Sequence, residues 1–235
     1  MVAADLHVHT TNSDGTLELA EVPAAARRAG LDAVAVTDHD RLHPGIDRPV
    51  AERDGVTLVH GIELRVESDA GRVDLLGYGA RPTDALTETV ERVQRDRVER
   101  GRAIIDAVEA HLGHEIPVEP ERGIGRPDIA RAVVASAPSY DDLGSVFDDL
   151  IGEDGPCYVR RRVPSFERAR EVLGEACAVV GLAHPLRYPD PEGALALTAD
   201  LDALVTGGSD AHERDLGETA LSADEYERFA AALDR

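Results

Sequence analysis

The fold-determining segment of the chain is Asp5-Leu6-His7-Val8-His9-Thr10-Thr11-Asn12-Ser13-Asp14-Gly15, which follows the apolar residues Val2, Ala3 and Ala4. The apolar residues predict a short buried strand. Residues two apart on a strand face the same side, so His7 and His9 can direct two imidazoles at one point. Asp14-Gly15 predicts a turn that returns a carboxylate toward them. Two imidazoles and a carboxylate make half of a metal site, although a core histidine beside a surface histidine would give the same pattern.

More histidines and carboxylates follow hydrophobic runs further along the chain. His39 follows 33–36, Glu63 follows 56–59, Asp74 lies within 72–78, His184 follows 178–183, and Asp210 and His212 follow 204–206. In a parallel α/β barrel the C-terminal ends of the strands converge on one face, where active sites lie. We therefore expect these side chains to meet at a single site.

The motifs that carry this pattern resemble the PHP (polymerase and histidinol phosphatase) family of metal-dependent phosphoesterases, from about residue 4 to about residue 217. They are His7-x-His9, Ser13-Asp14-Gly15, Thr37-Asp38-His39-Asp40, Gly61-Ile62-Glu63, Ala183-His184-Pro185 and Gly208-Ser209-Asp210-Ala211-His212. Two further motifs are most similar to the branch of nucleotide phosphatases and 5′-to-3′ exoribonucleases, and we expect a haloarchaeal type. These are Gly125-Arg126-Pro127-x-Ile129-Ala130-Arg131 and His184-Pro185-Leu186-Arg187-Tyr188.

The resemblance implies an α/β fold, a distorted (β/α)7 TIM-like barrel in one domain over residues 1–235, with a helical insertion at about 90–160. It also implies two or three divalent ions, of Mn, Zn, Fe or Mg. The implied ligands are His7, His9, Asp14, His39, Glu63, Asp74, His184, Asp210 and His212. Family members usually carry histidine at the position of Asp74, and a carboxylate there favours a harder ion.

The resemblance further implies a nucleotide or short oligonucleotide as substrate and metal-assisted hydrolysis of its phosphate. The implied catalytic residues are Glu63, Asp210 and His212, and the implied substrate-binding residues are Ser13, Arg126, Arg131 and Arg187. Arginine suits this role because its planar guanidinium binds phosphate through two hydrogen bonds. Two alternatives stay open, a histidinol-phosphate phosphatase and a catalytically silent metal-binding module. The segment between Tyr188 and Val205 favours the silent module, because it is too short for the strand and helix that relatives have there.

Periodicity and turn residues predict the remaining elements. Helices are expected at 17–29, 44–53, 84–112, 129–135, 143–151, 166–173, 195–201 and 223–233. Strands are expected at 31–37, 56–62, 64–67, 72–78, 178–183 and 204–206, with a hairpin turn at 68–71. The early alternation of strands and helices is typical of a parallel sheet.

Composition indicates a cytoplasmic protein from a salty cell. The chain has 25 arginines and no lysine against 46 acidic residues, a net charge of −21. We expect no signal peptide, because a strand begins within two residues, and no membrane span, because no apolar run approaches about 20 residues. Cys157 and Cys177 lack the spacing of a metal site, and we expect them to be buried free thiols.

Salt should therefore raise the melting temperature of this protein. The net charge of −21 repels itself within the compact state, and added ions screen that repulsion. Circular dichroism melting in KCl from about 0.1 M to about 2 M tests this, since KCl avoids the general strengthening of burial that sulfate causes. An unchanged melting temperature across the series would contradict the expectation.

Overall fold

The computed structural model of the chain describes residues 2–200 and 206–233, which form two units. One unit is helical and comprises Glu91–Arg162, and the other contains the sheet and comprises the segments before and after it. The strands are β1 (Val2–Val8), β2 (Ala33–Val36), β3 (Val50–Arg53), β4 (Val56–Ser68), β5 (Gly71–Tyr78), β6 (Val179–Leu182) and β7 (Leu221–Ser222).

The helices mostly lie where periodicity predicts them. They are α1 (Val22–Ala29), α2 (Asp84–Leu112), α3 (Arg126–Ser136), α4 (Leu143–Val146), α5 (Phe166–Ala176), α6 (Pro191–Ala196) and α7 (Ala223–Leu233). A π-helical turn, Phe147–Ile151, continues α4, and 3₁₀ turns form at Pro185–Arg187 and Leu197–Asp200. None of the helices in the described ranges combines the length and apolar character that a membrane span needs.

The sheet is mixed, with the strand order β6-β5-β4-β2-β1-β7 and β3 paired to β4. Strands β1, β2 and β4 are parallel, while β3, β5, β6 and β7 join their neighbours antiparallel. Strand β4 is long enough to pair its first half with β2 and β3 and its second half with β5. The mixed α/β class is confirmed, but among the described residues the strands do not close into the expected TIM-like barrel.

Alternation along the central strands separates two hydrophobic cores. Val34 and Val36 of β2 pack in the cluster that contains Val22 and Ala26 of α1. Ala33 and Ala35 belong to a second cluster, against which α7 places Phe229. In that cluster the rings of Tyr78 and Phe229 meet edge to face, with centroids 5.1 Å apart.

The helical unit has a third core, which α2, α3 and the turns after α4 enclose. Its members include Ile104, Val108, Ile129, Val133, Leu150 and Cys157. Cys157 is buried as expected, and the free thiol of Cys177 is partly exposed.

The helix predicted over 44–53 is wrong. Val50–Arg53 forms β3, which runs antiparallel to Val56–Val59 of β4. Asp54 and Gly55 join the two strands with φ of 50° and 75°. A two-residue hairpin turn of this kind needs left-handed backbone at both positions, and Asp-Gly is a preferred pair for it. The dipeptide was therefore the signal that should have overruled the weak helical pattern.

Other boundaries differ for local reasons. Helix α1 begins at Val22 rather than residue 17, because Leu17 bridges to Thr10, and it ends at Gly30 with φ of 72° as predicted. The predicted strands 56–62 and 64–67 are one continuous strand, β4. The expected helix 195–201 is α6 with the 3₁₀ turn after it, and its residue Leu201 lies outside the described residues. The strand predicted over 204–206 also lies outside them, except for Thr206, which has no regular structure.

His60 in β4 gives this fold a pH dependence. The residue is 3% exposed, and burial, with the nearby His43, lowers its pKa from 6.5 to about 4. On acidification the unfolded chain binds a proton at His60 more readily than the folded chain does. The contribution of neutral His60 to the free energy of unfolding is therefore fully present above about pH 6.5 and is lost as pH falls toward about 4. From about pH 7 to about pH 5 the loss should be about 2 kcal/mol.

His60→Gln should therefore flatten the pH dependence of the free energy of unfolding, measured with urea at the two pH values. His111→Gln is the matched control, because His111 is exposed in the last turn of α2. The His111 variant should lose as much stability on acidification as the wild type. An equal loss in the His60 variant would show that the pH dependence arises from other groups.

Candidate metal centre

Glu63 lies at the centre of the site. Strand β4 carries this carboxylate into the sheet unit, where it is fully buried. Its Oε2 lies 3.2 Å from His7 Nε2, 3.4 Å from His9 Nε2 and 2.9 Å from His39 Nδ1. Its Oε1 lies 3.1 Å from His184 Nε2. A buried carboxylate is tolerated only when it is paired, and here imidazoles from three strand ends supply the partners.

The imidazoles reach Glu63 because of the strand pairing. His7 and His9 project from β1 to the same side, as alternation predicts, with ring centroids 5.0 Å apart. A short parallel bridge joins His39 to Glu63 across the ends of β2 and β4. Beside β1, the amide of Leu6 donates to the Gly207 carbonyl, and the amide of Ala211 donates to the His7 carbonyl. These bonds place Asp210 next to His7 and His9, with Oδ1 at 3.4 and 3.3 Å from their Nε2 atoms.

The described residues form three adjoining groups of donor atoms, each within 4.8 Å. The first is His9, Asp14, His39 and His212, the second is His7, His9, Glu63 and Asp210, and the third is Glu63, Asp74 and His184. All nine sequence-predicted ligands belong to these groups. His9 and Glu63 are each shared by two groups, which is the geometry that would hold ions close together.

Unpartnered atoms support a metal centre here. Several buried nitrogen and oxygen atoms of the site have no hydrogen-bond partner among the described residues. They are His7 Nε2, His9 Nδ1 and Nε2, Asp14 Oδ1, Glu63 Oε2, Asp74 Oδ2 and His184 Nδ1. Buried polar atoms are normally satisfied, so such a concentration needs an explanation. Imidazole nitrogens and carboxylate oxygens are ligands for Zn²⁺ and similar divalent ions, so the donor set fits the metal that the sequence predicts.

The buried ionisable groups of the site shift one another's pKa values. Burial acts to raise the pKa of Glu63, but the imidazoles of His184, His39 and His7 beside the carboxylate outweigh it and hold the pKa well below 4.5. Burial acts to lower the pKa of His39, and the bond with Glu63 raises it to about 9. Burial lowers the pKa of His9. Glu63 is therefore ionised at neutral pH, the state in which its carboxylate can bind a cation.

Two buried aspartates that the sequence analysis did not single out hold the loops of the site. Asp38 accepts hydrogen bonds from the backbone and hydroxyl of Thr10, from Asn12 Nδ2 and from Ser13 Oγ, the last at 2.9 Å. The hydroxyl of Ser13, a predicted substrate residue, therefore donates its hydrogen bond to Asp38. Asp5 accepts from the amide and hydroxyl of Ser209 and from the Gly217 amide. Both aspartates lie within the quoted motifs, which was the available signal.

Left-handed backbone concentrates at the site. Asp40, His184 and Asp210 have φ of 55°, 29° and 54°, a region that non-glycine residues seldom adopt. Asp40 is fixed there by its amide, which donates to the Glu63 carbonyl at 2.7 Å. These backbone conformations change the direction of the chain at the positions where the donor atoms converge.

The predicted arginines fall in different places. Arg187 lies at the donor groups, where its Nη1 donates to Asp210 Oδ2 at 2.5 Å and its side chain is 66% exposed. Arg126 and Arg131 belong to the helical unit. There the Arg126 guanidinium stacks over Phe147 and Tyr158, and Arg131 pairs with Asp128 at 2.6 Å.

Arg65 was not predicted. It lies on β4 directly across from Asp74 on β5, and its Nε donates to Asp74 Oδ1 at 2.5 Å. Asp74 is fully buried, and its amide donates to the Tyr188 hydroxyl at 2.8 Å. Cross-strand pairing brings these residues together at a separation of nine in sequence, and no local pattern in the sequence signals it.

Comparison with known proteins places the chain among phosphoesterases. The PHP domain profile matches residues 5–181. A 3′,5′-nucleoside bisphosphate phosphatase from Chromobacterium violaceum is 30% identical over 245 residues, covering all of this chain and 84% of the relative. A 5′-3′ exoribonuclease from Haemophilus influenzae is 26% identical, covering 98% of this chain and 85% of the relative.

A solved structure shows the same fold. It is described as a metal-dependent phosphoesterase from Bifidobacterium adolescentis and superposes with a TM-score of 0.75 at 23% identity, over 98% of this chain and 96% of that one.

Proposed function

Since the chain belongs to the PHP domain family, we propose that it hydrolyses a terminal phosphate or phosphodiester of nucleotides or short oligonucleotides. The relatives, a bisphosphate phosphatase and an exoribonuclease, confirm the predicted class of enzyme, a phosphoric ester hydrolase. The observation that carries the proposal is the set of three donor groups that share His9 and Glu63. A structural metal site would need only one such group.

The proposed cofactors are two or three divalent ions, which would activate water and neutralise charge on the phosphoryl oxygens when bound. This chain's residues would hold and space them. Glu63 is fully buried and belongs to two groups, so its two oxygens can each face a different ion. Asp210 and His212 are partly exposed, and the substrate phosphate would approach from their side. We assign the catalytic roles to these three residues.

Arg187 is proposed to bind the substrate phosphate. Its guanidinium is exposed and reaches Asp210, so it lies within one side chain of the donor groups. When Asp210 holds a cation, the guanidinium can turn to a phosphate oxygen, which it binds with two parallel hydrogen bonds. Ser13, Arg126 and Arg131 are proposed as further substrate contacts on the strength of the motifs alone.

Recognition is proposed to be local, at the end of the substrate. With a net charge of −21 the chain repels the backbone of a long nucleic acid, so a basic groove cannot supply affinity. Terminal phosphates or mononucleotides would then be favoured over internal cleavage. The same acidic, lysine-free composition supports a cytoplasmic location in a halophilic cell.

The protein should contain divalent metal, and chelation should abolish hydrolysis. The assay compares adenosine 3′,5′-bisphosphate, a 5′-phosphorylated RNA oligomer, a circular RNA and histidinol phosphate. We expect turnover of the first two. Cleavage of the circle would overturn terminal recognition, and preference for histidinol phosphate would overturn the nucleotide assignment.

His9→Ala should lower the number of bound ions and lower kcat by about 10- to 100-fold, while circular dichroism shows a folded chain.

A matched control for His9→Ala is His111→Ala, which removes an imidazole at an exposed position of α2. Elemental analysis and kcat of the control should equal those of the wild type. Full turnover by a metal-stripped wild-type sample would refute the metal-dependent mechanism.

Arg187→Ala should raise KM more than it lowers kcat. A phosphate held equally in the ground and transition states contributes uniform binding, and its loss appears in KM. Steady-state kinetics on the best nucleotide substrate tests this, with Arg168→Ala as the control, because Arg168 pairs with Glu171 on the surface of α5. A fall in kcat at constant KM would instead make Arg187 a transition-state contact.

A further inference from the structure

The third donor group differs from the other two in the number of its donors. The first and second groups offer four donors each, whereas the third offers only Glu63, Asp74 and His184. Glu63 is also the carboxylate that the second group uses. A cation at the third group would therefore depend mainly on Asp74 and His184, and the state of Asp74 decides how well it is held.

Arg65 occupies one of the two carboxylate oxygens of Asp74. The guanidinium bonds Oδ1 at 2.5 Å, while Oδ2 faces His184 Nε2 at 3.7 Å and has no hydrogen-bond partner among the described residues. Asp74 can thus offer one oxygen to a cation, and a chelating mode with both oxygens is blocked. Pairing in β4 and β5 fixes the two residues opposite each other, so the contact is held by backbone as well as by charge.

The guanidinium also brings a permanent positive charge to this group. Arginine stays protonated at any physiological pH. A cation on Oδ2 would lie only one carboxylate away from the guanidinium, and the two like charges would repel each other in this partly buried site. The Arg65 side chain is 37% exposed and Asp74 is fully buried, so solvent screens the pair only from one side.

We infer that Arg65 is a positioning residue that makes the Glu63–Asp74–His184 group the weakest of the three cation sites. The chain would then keep two divalent ions tightly and exchange a third with its surroundings. The inference rests on the proposed metal-dependent function and adds to it a residue that sets how many ions are retained.

Metal titration tests this on the full chain. Metal-stripped protein is titrated with Mn²⁺ in chelator-buffered solution, and the bound ions are counted by elemental analysis after gel filtration. The wild type should retain two ions and bind a third more weakly. Arg65→Gln keeps a donor for Asp74 but removes the like-charge repulsion, and it should bind the third ion about 10- to 100-fold more tightly. Arg65→Lys keeps the charge and should leave the third ion weak.

Arg168→Gln is the matched control, because it removes an arginine from a surface pair with Glu171, and its titration should match the wild type. Three ions of equal affinity in the wild type, or an unchanged third affinity in Arg65→Gln, would overturn the inference. If Arg65→Gln does not fold, Arg65→Gln/Asp74→His removes both charges and should retain three ions. A wild type that binds no Mn²⁺ would instead refute the proposed function itself.

Discussion

The burial of one carboxylate, Glu63, is the constraint on which the structure depends. A charge removed from water must be paired, and the imidazoles that approach Glu63 come from β1 and its end and from the ends of β2 and β6. A shift of any of these segments would remove at least one partner of Glu63. The sheet order, the loop bonds to Asp5 and Asp38, and the left-handed residues all serve to hold the partners within about 3–4 Å.

Much of this was predictable from sequence because it follows from local rules. Strand alternation predicted that His7 and His9 face one side, and both do. Periodicity predicted the bounds of α2 and α7, and Gly30 predicted the end of α1. The convergence of His7, His9, His39 and Glu63 was predictable because parallel strands end at the same edge of a sheet, and β1, β2 and β4 are parallel. Asp74 reaches the same site from the antiparallel strand β5.

What escaped prediction depends on pairing between distant segments. The two-residue strand β7 pairs antiparallel with Val2 and Ala4 of β1, and no pattern of its own marks it. The described strands follow an open path from β6 to β7, with antiparallel pairs where the expected barrel would have parallel ones. In the sequence, the position of Arg65 is typical of a surface residue in a hairpin. Only the register of β4 and β5 shows that it lies opposite Asp74.

The left-handed residues at the site have a consequence for protein engineering. Glycine adopts that backbone without strain, so glycine at Asp40, His184 or Asp210 would relieve part of the cost that these residues impose on the fold. Two of the three are candidate ligands. The glycine that relieves the backbone at His184 or Asp210 would also remove a candidate ligand, so screens on this scaffold must select for catalysis and stability together.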